Sequence, residues 1–271
     1  MRPISNGMKI LFFGDIVGKI ARRAIKKVLP ELKEKYSPDL IIANAENSAH
    51  GIGVTESIIR ELQEAGIDFF TSGDHIFDKP DGIGLVSAAR PVIIRPANFP
   101  EGVAGTGYQV LEVGSRKVLV INLIGRVFMK RDYDCPFRKL DEILKKIKVE
   151  DMAAVVLDFH AEATSEKCAM GWYAAGRVSA VLGTHTHVPT ADQKILSGGT
   201  AFVSDVGMVG ATDSIIGDKK EPIINSFLNQ TSIQLDIPEE GEVTVGAVLI
   251  EIDPKTRQAV SFERLDRTVK V

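Results

Sequence analysis

Five short apolar runs in this chain each lead into residues able to hold a metal ion. Met8 to Phe13 opens onto Gly14-Asp15, Leu40 to Ala43 onto Ala45-Glu46-Asn47, and Ile67 to Ser72 onto Gly73-Asp74-His75. Further on, Ala153 to Asp158 opens onto Phe159-His160, and Val178 to Leu182 onto Gly183-Thr184-His185-Thr186-His187. Four of the five histidines fall on these signatures. Runs of this length and composition read as buried strands. Open α/β sheets gather their sites at the carboxyl ends of strands. The pattern therefore predicts an α/β fold and a metalloenzyme, and the ligand types point to two metals.

The segments between the runs support that fold. Ala21 to Tyr36 carries Leu, Val and Ile at helical spacing with Lys and Arg between them, and Ser37-Pro38 stops it. Thr55 is placed to cap a second helix that Gly66 ends. The order so far is β-α-β-α-β, the parallel-sheet pattern. The middle changes character, with strands expected over Pro91 to Ile94, Tyr108 to Val113 and Lys117 to Asn122. The last two form a hairpin across Gly114-Ser115. Leu140 to Ile147 and Thr164 to Tyr173 read as helices. Strands are expected at Thr200 to Val203, Val243 to Ile252 and Ala259 to Arg264, with a helix near Pro222 to Leu228. Two sheets with helices on their outer faces fit this order, in one domain over residues 8–271. Residues 1–7 read as a leader, with Met8 opening the fold.

At 271 residues, 44% hydrophobic and 25% charged, the chain can bury a full core. A net charge of −3 supplies no broad basic field, which argues against long DNA or RNA as a partner. A small anionic substrate held by metals needs no such field. Cys135 and Cys168 form no CxxC pair. No run is long and apolar enough to span a membrane, and the expected location is cytoplasmic.

Each candidate is weak by itself. Asp15 alone is more often a turn or cap residue, and His160 alone is more often a hydrogen-bonded core histidine. The His185-Thr186-His187 pair is stronger, because alternation would put both rings on one side of an extended segment. Imidazole with carboxylate suits Mn, Fe, Zn or Co. The lack of nearby thiolates argues against a structural zinc site.

Together, Gly14-Asp15, Glu46-Asn47, Gly73-Asp74-His75, His160 and Gly183-Thr184-His185-Thr186-His187 resemble the calcineurin-like dinuclear metallophosphoesterases. The stretches NAENSAHGIG, RPANFPEG, DFHAEATSEK, GWYAAGRVSAVLGTHTHVPTAD and SDVGMVG resemble the YmdB-like branch. The resemblance implies a four-layered α/β/β/α sandwich of two mixed sheets flanked by helices. It implies two divalent transition metal ions, Fe or Mn first, with Zn or Co as alternatives. It implies a phosphodiesterase acting on 2′,3′-cyclic nucleotides by in-line attack of a metal-bridging hydroxide. Asp15, Glu46 and His187 would hold one metal, and Glu46, Asp74, His160 and His185 the other. Asn47 would contact a phosphate oxygen or the bridging solvent. His75 would stand near the leaving group, where an imidazole titrating near working pH can protonate it. The branch further implies homo-oligomers and a link to bacterial gene regulation.

Three positions depart from the wider superfamily. Val17 stands where it usually has a histidine ligand, and Glu46 stands for its usual Asp. Both fit the YmdB-like branch. Asp74 stands where Asn is usual. An extra anion takes the charge of the metal cluster from about +1 to near neutral, because an ion's own charge sets the local electrostatics. Tighter metal retention and weaker attraction for a phosphodiester are expected.

Weaker candidates surround these. His50 reads as a solvated loop histidine or a rim contact to substrate. Arg126 reads as a surface arginine or a phosphate or base contact. Glu162, Thr164 and Ser165 read as a helix start, with Thr164 or Ser165 as N-cap, that also faces substrate. Asp205 is a turn residue or a support for a ligating histidine. Trp172 and Tyr173 are expected in the core or in subunit contacts. Alternative functions are a phosphomonoesterase, protein phosphatases included, and a nucleotide-sensing regulator with little turnover.

Overall fold

The strand runs that open the chain have apolar residues at nearly every position, so both of their faces must be buried. In the computed structural model they are. It describes residues 7–271 apart from Ile233 and Leu235. The leader expected over residues 1–7 lies outside that range except for Gly7.

The chain begins with β1 (Met8–Phe13), β2 (Asp15–Ile16), α1 (Gly18–Tyr36), β3 (Leu40–Asn44), α2 (Glu56–Ala65), β4 (Phe69–Thr71) and α3 (Asp81–Val86). The middle holds β5 (Tyr108–Val113), β6 (Arg116–Ile124), α4 (Pro136–Lys146), β7 (Ala154–His160), α5 (Thr164–Ala174) and β8 (Ala180–Thr184). The rest is β9 (Lys194–Leu196), β10 (Thr200–Val203), β11 (Met208–Ala211), α6 (Lys220–Asn229), β12 (Glu242–Val245), β13 (Ala247–Ile252), β14 (Ala259–Arg264) and β15 (Arg267–Lys270).

Two large mixed sheets carry the fold. One runs β14-β13-β1-β3-β4, with β1, β3 and β4 parallel and β13 and β14 antiparallel. The other runs β5-β6-β7-β8-β10-β9, with β6, β7, β8 and β10 parallel. Side chains alternate across each strand, and the alternation sorts them into layers. Ile10, Phe12, Leu40 and Ile42 face Val118, Val120, Val156 and Leu182 between the sheets. Leu11, Phe13, Ile41 and Ala43 face outward against Ile20, Ile25, Leu29 and Leu62 of α1 and α2. Leu119, Ile121, Leu157 and Phe159 pack on Leu140, Ile143 and Met170 of α4 and α5. The order is helices, sheet, sheet, helices, the expected four layers.

A third sheet, β15-β12-β11-β2, corrects the two-sheet expectation. Its cause is two glycine breaks. A Cβ on Gly14 would stand 1.7 Å from Gly207 O, so only glycine allows the chain to swing from β1 into β2. Opposite it, Gly246 donates to Met208 O at 2.8 Å and its own carbonyl accepts from Gly14 N–H at 3.1 Å. The single strand expected over Val243 to Ile252 therefore splits into β12 and β13, one in each sheet.

Local signals held where side chains met backbone directly. Thr55 Oγ1 caps α2 by accepting Ile58 N–H, and Gly66 closes it at φ 110°. Pro91 to Ile94 forms only one bridge, Phe70 with Ile93, instead of a strand. The N-cap of α5 is Ala163, with no side-chain cap, in place of Thr164 or Ser165. Trp172 is 61% exposed and does not join the core.

Candidate metal centre

Neighbouring strands of both sheets end at one place. Asp15 follows β1, Glu46 follows β3, Asp74 follows β4, His160 closes β7 and His185 follows β8. Ligand atoms of Glu46, Asp74, His160 and His185 all lie within 4.8 Å of one another. His160 Nε2 is 3.0 Å from Glu46 Oε1, 3.0 Å from His185 Nδ1 and 3.5 Å from Asp74 Oδ1. Gly73 makes this closeness possible. A Cβ there would stand 2.2 Å from His160 Nε2 and 2.4 Å from Glu46 Oε2.

Asp15 and His187 sit beside this group. Asp15 Oδ1 is 3.8 Å from His160 Nδ1 and 3.9 Å from His187 Nε2. Asn47 Nδ2 reaches Glu46 Oε1 at 3.4 Å and His187 Nε2 at 3.2 Å, linking the two.

Asp15, Glu46 and His160 are fully buried. Asp15 Oδ1 and Asp74 Oδ1 are buried with no hydrogen-bond partner. A buried carboxylate oxygen without a partner is costly, and no Lys or Arg among the described residues forms an ion pair with either carboxylate. The donor set therefore fits a divalent cation: oxygen and imidazole ligands, excess negative charge and orphaned oxygens.

The protonation pattern agrees. Burial raises the Asp15 carboxyl, with the His187 and His160 charges opposing. Burial acts to raise Asp74 too, but its contacts with His160, His75 and His185 hold it well below the usual carboxylate range. Asp74 is thus an anion, and only histidines stand near enough to offset it. Burial and the charge of His160 push His185 down to about 4, so its ring is neutral at neutral pH and free to ligate.

Hydrogen bonds behind the ligands fix which nitrogen faces the cluster. His187 Nδ1 lies 2.7 Å from Ile216 O. A carbonyl only accepts, so Nδ1 carries the proton and Nε2 presents its lone pair. For His160, Nδ1 lies 2.9 Å from Thr184 Oγ1, which donates to Asp158 Oδ1 at 2.7 Å. Asn44 Nδ2 is 3.4 Å from the same Nδ1, but its two hydrogens serve Ser72 O and Asp158 Oδ2. The proton on Nδ1 therefore goes to Thr184, and Nε2 faces Glu46. Burial acts to lower the ring's pKa, but Glu46, Asp74 and Asp15 raise it well above the usual histidine value, so a cation binding there would displace the proton on Nε2. Asp158 also accepts from Thr71, so it bonds to residues of both large sheets. Burial pushes its carboxyl up to about 7, against His160, Thr71 and Thr184. Outer partners of this kind orient metal-binding histidines.

The segment carrying His185 and His187 is not extended, which corrects the strand-like expectation. β8 ends at Thr184, and the two histidines have φ 95° and 64°. Such conformations cost about 1–3 kcal/mol each and persist only when held by their surroundings. Asp205 holds them. Its Oδ2 accepts from Thr186 N–H at 3.1 Å, Thr186 Oγ1 at 2.6 Å and Lys167 Nζ at 2.7 Å. Asp205 thus supports the histidines through the residue between them and touches neither ring. The buried Lys167 was not legible in the sequence.

His75 lines the cleft. Its Nδ1 is 2.7 Å from Asp78 Oδ2, and its backbone N–H donates to Glu46 Oε2 at 3.0 Å. Burial acts to lower its pKa, but Glu46 and Asp78 together raise it above the usual histidine value. Asp78, three residues on in the same turn, is a partner the sequence reading missed, though its spacing from His75 was available. Glu162 Oε2 lies 3.2 Å from His185 Nε2 and shares the cleft.

The cleft, about 320 Å³, is lined by Glu46, Asn47, His75, His185 and His187, with Val17, Ile52 and Ile216 on its apolar side. Four expected substrate contacts lie outside that lining. His50, at φ 58°, borders a neighbouring cavity with Lys19 and Asp236. Arg126 is exposed, and its backbone N–H is held by Glu166. Thr164 and Ser165 are exposed at the start of α5. Ile52, Ile216 and Asp218, which do line the cleft, carried no recognisable signal.

With this geometry in hand, comparisons with known proteins are decisive. A model of the family described as YmdB-like protein matches residues 11–265. The chain belongs to the YmdB-like family. It is similar to the 2′,3′-cyclic-nucleotide 2′-phosphodiesterase of Bacillus subtilis, 45% identical over 95% of this chain and 96% of that one. Among solved structures it resembles a novel phosphatase from Mycoplasma pneumoniae, with TM-score 0.90, 34% identity and coverage of 98% and 95%. It also resembles a hypothetical protein from Thermus thermophilus, with TM-score 0.89, 38% identity and coverage of 96% and 99%. No helix among the described residues is long and apolar enough to cross a membrane.

Proposed function

We propose that this YmdB-like chain is a metal-dependent phosphodiesterase that opens 2′,3′-cyclic nucleotides. The observation that carries the reading is the pair of buried, unpartnered carboxylate oxygens, Asp15 Oδ1 and Asp74 Oδ1, set beside the imidazoles of His160, His185 and His187 next to a cleft of nucleotide size. Glu46, Asp74, His160 and His185 would hold one ion. Asp15 and His187, with Glu46 between the two groups, would hold a second, Mn or Fe first. When bound, such ions supply Lewis-acid activation of water and of the phosphoryl oxygens.

The chain's own residues do the rest. Water adds to phosphorus in line with the ester oxygen that departs and gives up one proton, which restores the one His75 donates. The Bacillus relative's name specifies the 2′ bond, so the ribose 2′-oxygen is taken as the leaving group. His75 gives it a proton from Nε2, while Asp78 holds Nδ1 and so orients the ring. Asn47, now bonded to Glu46 and His187, turns its amide to a phosphoryl oxygen.

The test is hydrolysis of 2′,3′-cyclic AMP by Mn-loaded protein beside a chelated sample. Metal-dependent release of the 3′-phosphate is expected. Protein with its ions bound that fails to turn over the diester would sink the reading.

A further inference from the structure

A tight turn on the rim of the cleft holds a residue poorly suited to its backbone. Ile215 N–H donates to Asp218 O at 2.8 Å, and Asp218 N–H returns a bond to Ile215 O at 3.1 Å. These close a two-residue hairpin with Ile216 and Gly217 at its centre, at φ 47° and 111°. Positive φ at both positions is the mirror-image turn that favours Asn-Gly. Gly217 suits it. A Cβ-branched residue such as Ile216 is a true outlier there. Burial in the core does not compensate for the strain, because Ile216 is 50% exposed.

Ile216 makes two contacts of consequence. Its carbonyl accepts from His187 Nδ1, but any residue offers a carbonyl. Ile216 also lines the cleft that takes in Val17, Ile52, Glu46, His75 and His185. The turn packs on that wall, since a Cβ on Gly217 would stand 2.7 Å from Val17 Cγ1. Val17 is 3% exposed and Ile216 50%, so Ile216 supplies the open part of this apolar wall.

We infer that Ile216, on a turn backed by Val17, forms the surface on which the nucleobase of the substrate packs. Ile216 is thus a specificity-determining residue. The inference rests on the reading that the cleft takes a cyclic nucleotide. A base has wide apolar faces, while its phosphate belongs with the charged ligands of the floor. An aliphatic residue in the same cleft as Glu46, His185 and His187 gives the two parts of a nucleotide the separate surfaces their chemistry requires.

The test is Ile216→Asn, which installs the residue the turn favours and keeps the carbonyl, with Ile216→Gly as a second variant. Two substrates are compared: 2′,3′-cyclic AMP and the 2′,3′-cyclic phosphate of methyl riboside, which has no base. Both variants should raise KM for 2′,3′-cyclic AMP about 10-fold with kcat unchanged, the mark of lost uniform binding. Activity on the base-free ester should fall less than activity on the nucleotide. Ile216→Asn should raise Tm by about 2–4 °C as strain is relieved. An unchanged KM for the nucleotide, an equal loss on both substrates, or a lower Tm for Ile216→Asn would each overturn the inference. A wild-type protein inactive on both esters would overturn the functional reading and this inference with it. Wild-type turnover with unaltered variants would overturn the inference alone.

Discussion

On the floor of the cleft, Asp15, Glu46 and His160 are fully buried, and the His160 ring has its Nδ1 tied to Thr184. On the rim, His185, His187 and Ile216 sit at positive φ, and Ile216 is half exposed. The floor is fixed by strand ends that two sheets bring together. The rim is fixed by a few hydrogen bonds to strained backbone. The difference teaches where each task resides. Holding a cation needs rigid atoms in low dielectric. Choosing among substrates needs side chains that loops can vary.

The largest effect should come from the floor. Gly73→Ala would place a methyl group against His160 and Glu46. Mn²⁺ binding followed by calorimetry should vanish, with far-ultraviolet dichroism retained. Wild-type affinity in that variant would mean that the floor yields as readily as the rim.

Next is the bond behind His160. Thr184→Val removes the acceptor for Nδ1 while nearly preserving shape. Metal affinity should drop about 10–100-fold, and Thr184→Ser should restore it. If valine binds metal as tightly as threonine, the Asp158–Thr184–His160 chain orients nothing.

Asp74 lies where floor meets rim, and its charge is the point at issue. Asp74→Asn should leave the geometry intact and raise kcat/KM on the cyclic diester, while loosening metal retention. A fall in turnover at equal metal occupancy would contradict the charge argument.

The smallest effect belongs to Asp78. His75 acts as an acid only while protonated, so rate falls as pH rises through its pKa. Asp78 raises that pKa. Asp78→Asn should therefore shift the alkaline limb of the kcat profile to lower pH, with metal content unchanged. A limb that stays in place would mean that His75 is not the proton donor.

The contrast between floor and rim also governs what the sequence reveals. Strand ends are legible because burial on both faces forces an unbroken apolar run, and the first polar residue after it stands out. That is why Asp15, Glu46, Asp74, His160 and His185 stand out in the sequence at the ends of their strands. Rim residues carry no such contrast. His50, Arg126, Thr164 and Ser165 drew notice because they are polar and follow a strand or a ligand turn, yet they lie outside the cleft lining. Val17, Ile52 and Ile216 line it and look like ordinary aliphatic residues.

Periodicity and local chemistry determined the α/β class, the caps of α2 and the ligand types, because each depends on neighbours a few residues away, while the layered sandwich followed from the family resemblance. Only the tertiary structure decided that β12 leaves its continuation β13 at Gly246, that Asp158 bonds to both sheets, and that Lys167 and Asp205 hold a strained histidine turn. Those contacts join residues far apart in the chain. A one-dimensional pattern records what each side chain can do, and the packing of two sheets determines which of them meet.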